Sequence, residues 1–145
     1  LIQEAIESLD FSRHKIEADI PSEDVSITID NQKMSQVLVN LLTNALKYSK
    51  PHSRILVTAI RLGDQARISV SDEGVGIAAA HLEKIFNQFY RIYSTSNSAK
   101  GMGLGLYISK EIMEAHLGKI WAESIEKKGS TFHIQFPIDR AKGLS

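Results

Sequence analysis

Residues 54–72, RILVTAIRLGDQARISVSD, constrain the fold more than any other stretch of the chain. Two runs of alternating apolar and polar residues flank a Gly63-Asp64 joint, the pattern of two half-buried strands folded back on each other. A lone hairpin is not stable in water; it needs further strands, or a helix against its apolar face. The rest of the sequence offers both. KIWAESIE and STFHIQF, turning through KKG, read as a second hairpin. Ile16/Ala18/Ile20 and Val25/Ile27/Ile29, split by PSED, read as a third.

Helical patterns lie between these strands. Leu1, Ala5 and Leu9 share one face of a short helix over residues 1–10. Asp30 and Asn31 are cap candidates for a longer helix over about residues 31–48, broken by SKPHS. Residues 78–86 read as a short, poorly capped helix, and 104–116 as a helix with Leu104, Ile108, Ile112 and Ala115 on one face. Between them RIYSTSNSAKGMG, residues 91–103, has little periodicity and reads as a mobile loop. Hairpins with helices between them imply an α/β two-layer sandwich, a mostly antiparallel mixed sheet covered on one face by about three helices. One domain is expected over residues 1–137, with 138–145 as a C-terminal tail.

Composition narrows the function. A chain of 145 residues, 43% hydrophobic, supports one domain with a core. Lysine plus arginine equal aspartate plus glutamate at 17 each, so no charge field points to nucleic acid or a membrane surface. Without cysteine there is no disulfide framework and no thiolate metal site. No apolar run reaches the length of a membrane span, and no signal peptide is visible. The chain opens on Leu1 rather than methionine and is read as a piece of something longer.

Three polar features ask for a reason. At about 100° per residue, Lys33, Gln36, Asn40, Asn44 and Lys47 form one stripe opposite Leu38, Leu41, Leu42 and Ala45. That stripe is either a solvated face or a set of amide oxygens and an ammonium converging on a hydrated metal and phosphates; spacing alone leaves both open. Alternation places Asp72 with Ala66, Ile68 and Val70 on the apolar side, where a carboxylate is costly without hydrogen-bond donors. Gly74 and Gly76 just after it let backbone approach a ligand. A ligand with an exocyclic amino group suits Asp72, and so does a strand-ending turn bound to its own backbone. In GMGLGL, Gly101, Gly103 and Gly105 meet a helix start, where unpaired amides attract anions. A long polar loop precedes them and no Lys-Ser/Thr follows, so neither a Rossmann fingerprint nor a P-loop is present. The five histidines lack ligand-like spacing, and no Ser/His/Asp or Cys/His set suggests a hydrolase. Phe86 and Phe89 read first as packing residues.

Taken in order, NQKMSQVLVNLLTNALKYS, DEGVGI, IFNQFYR and GMGLGL resemble the N, G1, F and G2 boxes of the ATP-binding catalytic domain of sensor histidine kinases. These form the kinase branch of the gyrase/Hsp90/MutL ATPase superfamily, and the resemblance covers about residues 1–137. It implies the Bergerat ATP-binding fold, with ATP or ADP and Mg2+ as cofactors. It also implies donation of the γ-phosphate to a histidine on a separate helical dimerisation domain of the same kinase, with a response regulator downstream in two-component signalling. By this resemblance Asn44 binds magnesium, Asn40 lies beside it at the phosphates, and Lys47 contacts phosphate; these three make up the implied catalytic set. Tyr48 lies against adenine, Asp72 accepts the adenine amino hydrogen bond, and Gly74 and Gly76 line the base pocket. Phe86, Phe89 and Arg91 border the ATP lid, and Gly101, Gly103 and Gly105 close it over the triphosphate. Ile77, Lys100, Met102, Leu104, Leu106 and Thr131 are further implied nucleotide contacts.

Some positions depart from the family pattern. Met102 replaces a small hydroxyl residue, Lys33 an arginine, and His-Leu-Gly at 116–118 the usual His-Gly-Gly. The alternatives are a gyrase/Hsp90-like ATPase and a non-catalytic nucleotide-binding module. ATPase relatives carry a glutamate base four residues before the magnesium asparagine; here Asn40 stands there and cannot take a proton, which favours transfer over hydrolysis. No histidine is followed by the acidic residue and proline of the family's phosphoacceptor helix, so the acceptor is expected outside this chain. The domain is expected to be cytoplasmic and itself free of membrane contact, within a parent that a membrane anchor would suit.

Overall fold

The computed structural model describes residues 1–9, 14–20, 30–90 and 105–138. In chain order these form α1 (Ile2–Glu7), β1 (Lys15–Asp19), α2 (Asn31–Tyr48), β2 (Arg54–Leu62) and β3 (Gln65–Asp72). Two 3-10 turns follow, Ala79–His81 and Lys84–Phe86, then α3 (Gly105–Ala115), β4 (Lys119–Ile125) and β5 (Gly129–Pro137). The expected helix at 78–86 is therefore two separate tight turns. The segment 91–103 lies outside the described residues.

The strands make one five-stranded sheet in the order β1-β2-β3-β5-β4. The β2–β3 and β4–β5 hairpins are antiparallel as expected, and β3 joins them through β5. β1 pairs with β2 in parallel, Ile16 opposite Ile55 and Ala18 opposite Val57, which makes the sheet mixed. Its expected hairpin partner, 25–29, lies outside the described residues.

Pairing across the sheet fixes two faces. Ile55, Val57, Ile68, Val70, Phe132, Ile134 and Phe136 point to one side and are buried there. Against them α2 lays Met34, Val37, Leu38, Leu41, Leu42 and Ala45, the apolar side expected from its sequence. Helix α1 adds the buried Ala5, with Leu1 and Leu9 packed on the same core. Helix α3 buries Ser109, Ile112 and Met113, while Ala115 is exposed, so its inward face is rotated from the one expected. Ile138, placed by sequence in the tail, is 7% exposed and its N–H donates to the Asp64 carbonyl at 2.8 Å. The packed unit thus runs past residue 137.

A hydrogen-bonded histidine ties the end of α3 to the cap of α2. Asp30 caps α2, its carboxylate accepting from the Lys33 N–H at 3.1 Å. The Asp30 N–H donates to His116 Nε2 at 3.1 Å, and His116 Nδ1 donates to the Ile112 carbonyl at 2.8 Å. This ring ties the end of α3 to the start of α2. Beyond it Leu117 holds a left-handed backbone, φ +59°, and the Gly118 N–H closes the helix on the Met113 carbonyl at 2.8 Å.

Candidate functional site

Asp72 ends β3 on the core side, as alternation requires, and is half-buried. Burial pushes its carboxyl up from the ordinary 3.8 to about 6, and hydrogen bonds from the backbone amides of Gly74 and Ser130 offset part of that rise. Of the two sequence readings of Asp72, the strand-ending turn is present in the structure. Asp72 binds its own turn through Gly74, and it remains a poorly solvated carboxyl at the mouth of the core.

The loop after Asp72 is wedged between two elements. Gly74 bridges to Ser49, and the Val75 N–H donates to the Tyr48 carbonyl at 3.3 Å, pinning the loop to the end of α2. A Cβ on Gly74 would lie 2.7 Å from Asp72 Oδ1 and would strike the Tyr48 carbonyl, so only glycine permits this approach. Gly76 has φ +71° and its α-carbon abuts the Ile125 and Glu126 backbone of the β4–β5 turn. The Ile77 N–H donates to Ser124 Oγ at 2.7 Å, and Ser124 in turn reaches the Gly129 carbonyl at 2.9 Å and Ser130 Oγ at 2.8 Å. Ser130 thus belongs to this group, opposite Asp72 on β5.

Thr131, expected at the site, is not brought there. Its register partner is Ser71, its hydroxyl lies 2.8 Å from Ser71 Oγ, and both stand on the far face of the sheet. The correction is one residue: Ser130 takes the inward place. The apolar alternation of Phe132, Ile134 and Phe136, counted back by two, would have found it.

The helix stripe is only partly exposed. Asn40 and Asn44, one turn apart on α2, are half-buried, while Lys33, Gln36 and Lys47 are exposed. Asn40 Nδ2 donates to the Gly105 carbonyl at 3.2 Å and to Ser109 Oγ at 3.1 Å, joining α2 to the first turns of α3. The Lys47 ammonium lies 5.3 Å from the Tyr48 ring centre. Leu106 packs on the core, and Gly105 is exposed. Phe86 is buried edge-on to Phe132, at 6.3 Å between ring centres. Phe89 is 60% exposed with φ +63°. Arg91, Lys100, Gly101, Met102, Gly103 and Leu104 lie outside the described residues.

Among the described residues no three His, Cys, Asp or Glu side chains converge into an all-protein metal cage. Asn44 offers a carboxamide oxygen, and a cation that keeps most of its water and binds phosphate needs little more.

A second polar cluster lies on the far face. Ser69 Oγ sits 2.6 Å from His133 Nδ1, and His133 Nε2 is 2.9 Å from Glu123 Oε1. Sequence spacing could not show this line of Ser, His and Glu, which assembles across three strands. Trp121 stacks on the His133 ring at 5.0 Å, and burial lowers the His133 pKa. Ser69 is buried mid-strand, where ladder bonds use the backbone N–H groups an oxyanion would need. The cluster is a structural network.

Residues 16–140 match the family described as "Histidine kinase-, DNA gyrase B-, and HSP90-like ATPase". The sensor protein kinase WalK of Staphylococcus haemolyticus is 43% identical over 124 residues, covering 83% of this chain and 20% of that protein. The chain thus spans about a fifth of the length of the curated relatives it matches. Among solved structures, the nucleotide-free catalytic domain of histidine kinase ThkA superposes with a TM-score of 0.79 at 30% identity, covering 94% of this chain and 89% of that one. Full-length ShkA in complex with AMPPNP superposes with a TM-score of 0.83 at 25% identity, covering 97% of this chain and 30% of that one.

Proposed function

The chain belongs to the histidine kinase-, DNA gyrase B-, and HSP90-like ATPase family, as a histidine kinase catalytic domain, and we propose that it binds Mg-ATP and donates the γ-phosphate to a histidine on a separate helical domain of its parent kinase. One observation carries this reading: the loop after the inward, half-buried carboxyl of Asp72 is bridged through Gly74 to Ser49 at the end of α2, the helix that carries the half-buried Asn40 and Asn44. Asp72 accepts the amino hydrogen bond of adenine, and Gly74, Gly76 and Ile77 wall the base, with Tyr48 beside it. Asn44 holds the hydrated cation with Asn40 beside it, and Lys47 supplies a positive charge to the phosphates. Magnesium, when bound, neutralises the triphosphate and fixes its fold. The AMPPNP complex of ShkA supports an adenine nucleotide as the ligand.

Transfer is favoured over hydrolysis because no general base stands where the ATPase relatives carry glutamate. Asn40 cannot accept a proton, and its amide is committed to α3. The phosphoacceptor domain and a response regulator are the expected protein partners. Among the described residues no helix is long and apolar enough to cross a membrane. The domain is proposed to work on the cytoplasmic side of a larger, membrane-anchored kinase.

Isothermal titration tests the binding step. ATP and ADP with Mg2+ should bind, and GTP at least about tenfold more weakly, because a guanine carbonyl would face the Asp72 acceptor. Equal affinity for ATP and GTP would contradict the base assignment, and no adenine-nucleotide binding would end the proposal.

A further inference from the structure

Ser109 is the most deeply buried polar side chain among the described residues, 0% exposed where α3 meets α2. A hydroxyl in that position is unfavourable unless it is hydrogen-bonded. Its Oγ takes a hydrogen bond from Asn40 Nδ2 at 3.1 Å, and the same nitrogen donates to the Gly105 carbonyl at 3.2 Å. A carbonyl only accepts, so the amide orientation is fixed: nitrogen toward α3, oxygen away from it. Both N–H bonds of the carboxamide are then used. What Asn40 has left for a ligand is Oδ1 alone. An amide oxygen is repelled by phosphate oxygens and attracted by a cation or the water around it.

From this we propose that Ser109 is a positioning residue which, with the Gly105 carbonyl, locks the Asn40 carboxamide oxygen-outward, so that Asn40 serves the hydrated magnesium ion and not the phosphate oxygens. The inference rests on the Mg-ATP reading of the site and departs from the phosphate role that family resemblance implies for Asn40. Without the hydroxyl, one N–H of Asn40 loses its partner and the amide is free to turn its nitrogen outward. The consequence falls on magnesium use before it falls on the nucleotide itself.

The test titrates ATP into wild type, Ser109→Ala, Asn40→Ala and the double variant, each with excess Mg2+ and again with EDTA. Side-chain amide exchange of Asn40 is followed by NMR in the nucleotide-free proteins. Ser109→Ala should cut the magnesium enhancement of ATP affinity about three- to tenfold, the worth of one net hydrogen bond, and leave affinity in EDTA within about twofold. It should add nothing in the Asn40→Ala background, and the Asn40 amide protons should exchange faster. Should Ser109→Ala unfold, Ser109→Cys keeps the volume with a much weaker acceptor and takes its place. A wild-type enhancement that survives undiminished overturns the inference and leaves the Mg-ATP reading standing. Equal loss with and without magnesium marks Ser109 as structural only and also overturns it. Nucleotide binding with no magnesium enhancement in the wild type refutes the metal reading and the inference together.

Discussion

Asp72→Asn should make the nucleotide-free domain more stable while weakening its hold on ATP. The folded protein raises the Asp72 pKa from 3.8 to about 6, so between those values the native state binds a proton that the unfolded chain does not. Wild-type stability therefore falls as pH rises through that window, and above about 6 the full cost of the half-buried charge is present. The gap corresponds to at most about 3 kcal/mol, which solvent reaching the carboxyl reduces to about 1–2 kcal/mol. Asparagine copies the protonated form without titrating. At pH 7.5 the variant should melt about 3–6 °C higher than wild type, and at pH 4 the two should coincide. The same substitution replaces the charged acceptor proposed for the base with an amide, which should weaken ATP about 10- to 100-fold. Thermal unfolding at the two pH values, with calorimetric titration of ATP at the higher one, reads both effects. A variant less stable at pH 7.5, or equally shifted at both pH values, would refute the desolvation argument. Unchanged affinity would remove Asp72 from the site.

Three further substitutions separate backbone strain from the site. Leu117→Gly relieves a left-handed backbone at a position 83% exposed, and should stabilise the fold by about 1 kcal/mol, read as a melting point about 3 °C higher. Gly74→Ala drives a Cβ into the Tyr48 carbonyl and to 2.7 Å from Asp72 Oδ1, so it should cost about 1–3 kcal/mol and abolish detectable ATP binding in titration. Gly63→Ala is its control: φ is +62° but nothing lies within 4 Å of the added carbon, so about 1 kcal/mol should be lost in denaturant melts with ATP affinity unchanged.

Much of this architecture was legible because it follows from short-range periodicity. Alternation through Ile68 and Val70 put Asp72 on the core side, and the 3.6-residue period put Leu38, Leu41 and Leu42 under α2. What failed was longer in range or finer in phase. The parallel pairing of β1 on β2 depends on how a distant crossover packs, which no local pattern encodes. On α3 the inward face follows Met113 and Ser109 rather than Ala115, because contact with α2 and β4 set the rotation. Ser109 escaped notice since a serine amid a helix reads as solvated, and only its burial against Asn40 gives it a role. Thr131 was placed one residue out of phase, and a one-residue slip on a strand changes the face.

The central claim, a phosphotransfer domain whose acceptor lies on another domain, is tested most directly with γ-labelled ATP. The chain alone should acquire no label and release phosphate slowly, because it lacks both an acceptor histidine in line and a base at Asn40 worth about 10²–10⁴-fold in rate. Supplied in trans with the helical dimerisation domain of its parent kinase, it should label a histidine there, and Asn44→Ala should abolish that transfer. Rapid phosphate release by the chain alone, lost in Asn44→Ala and indifferent to the partner, would contradict the kinase account and make this a hydrolase of the same family.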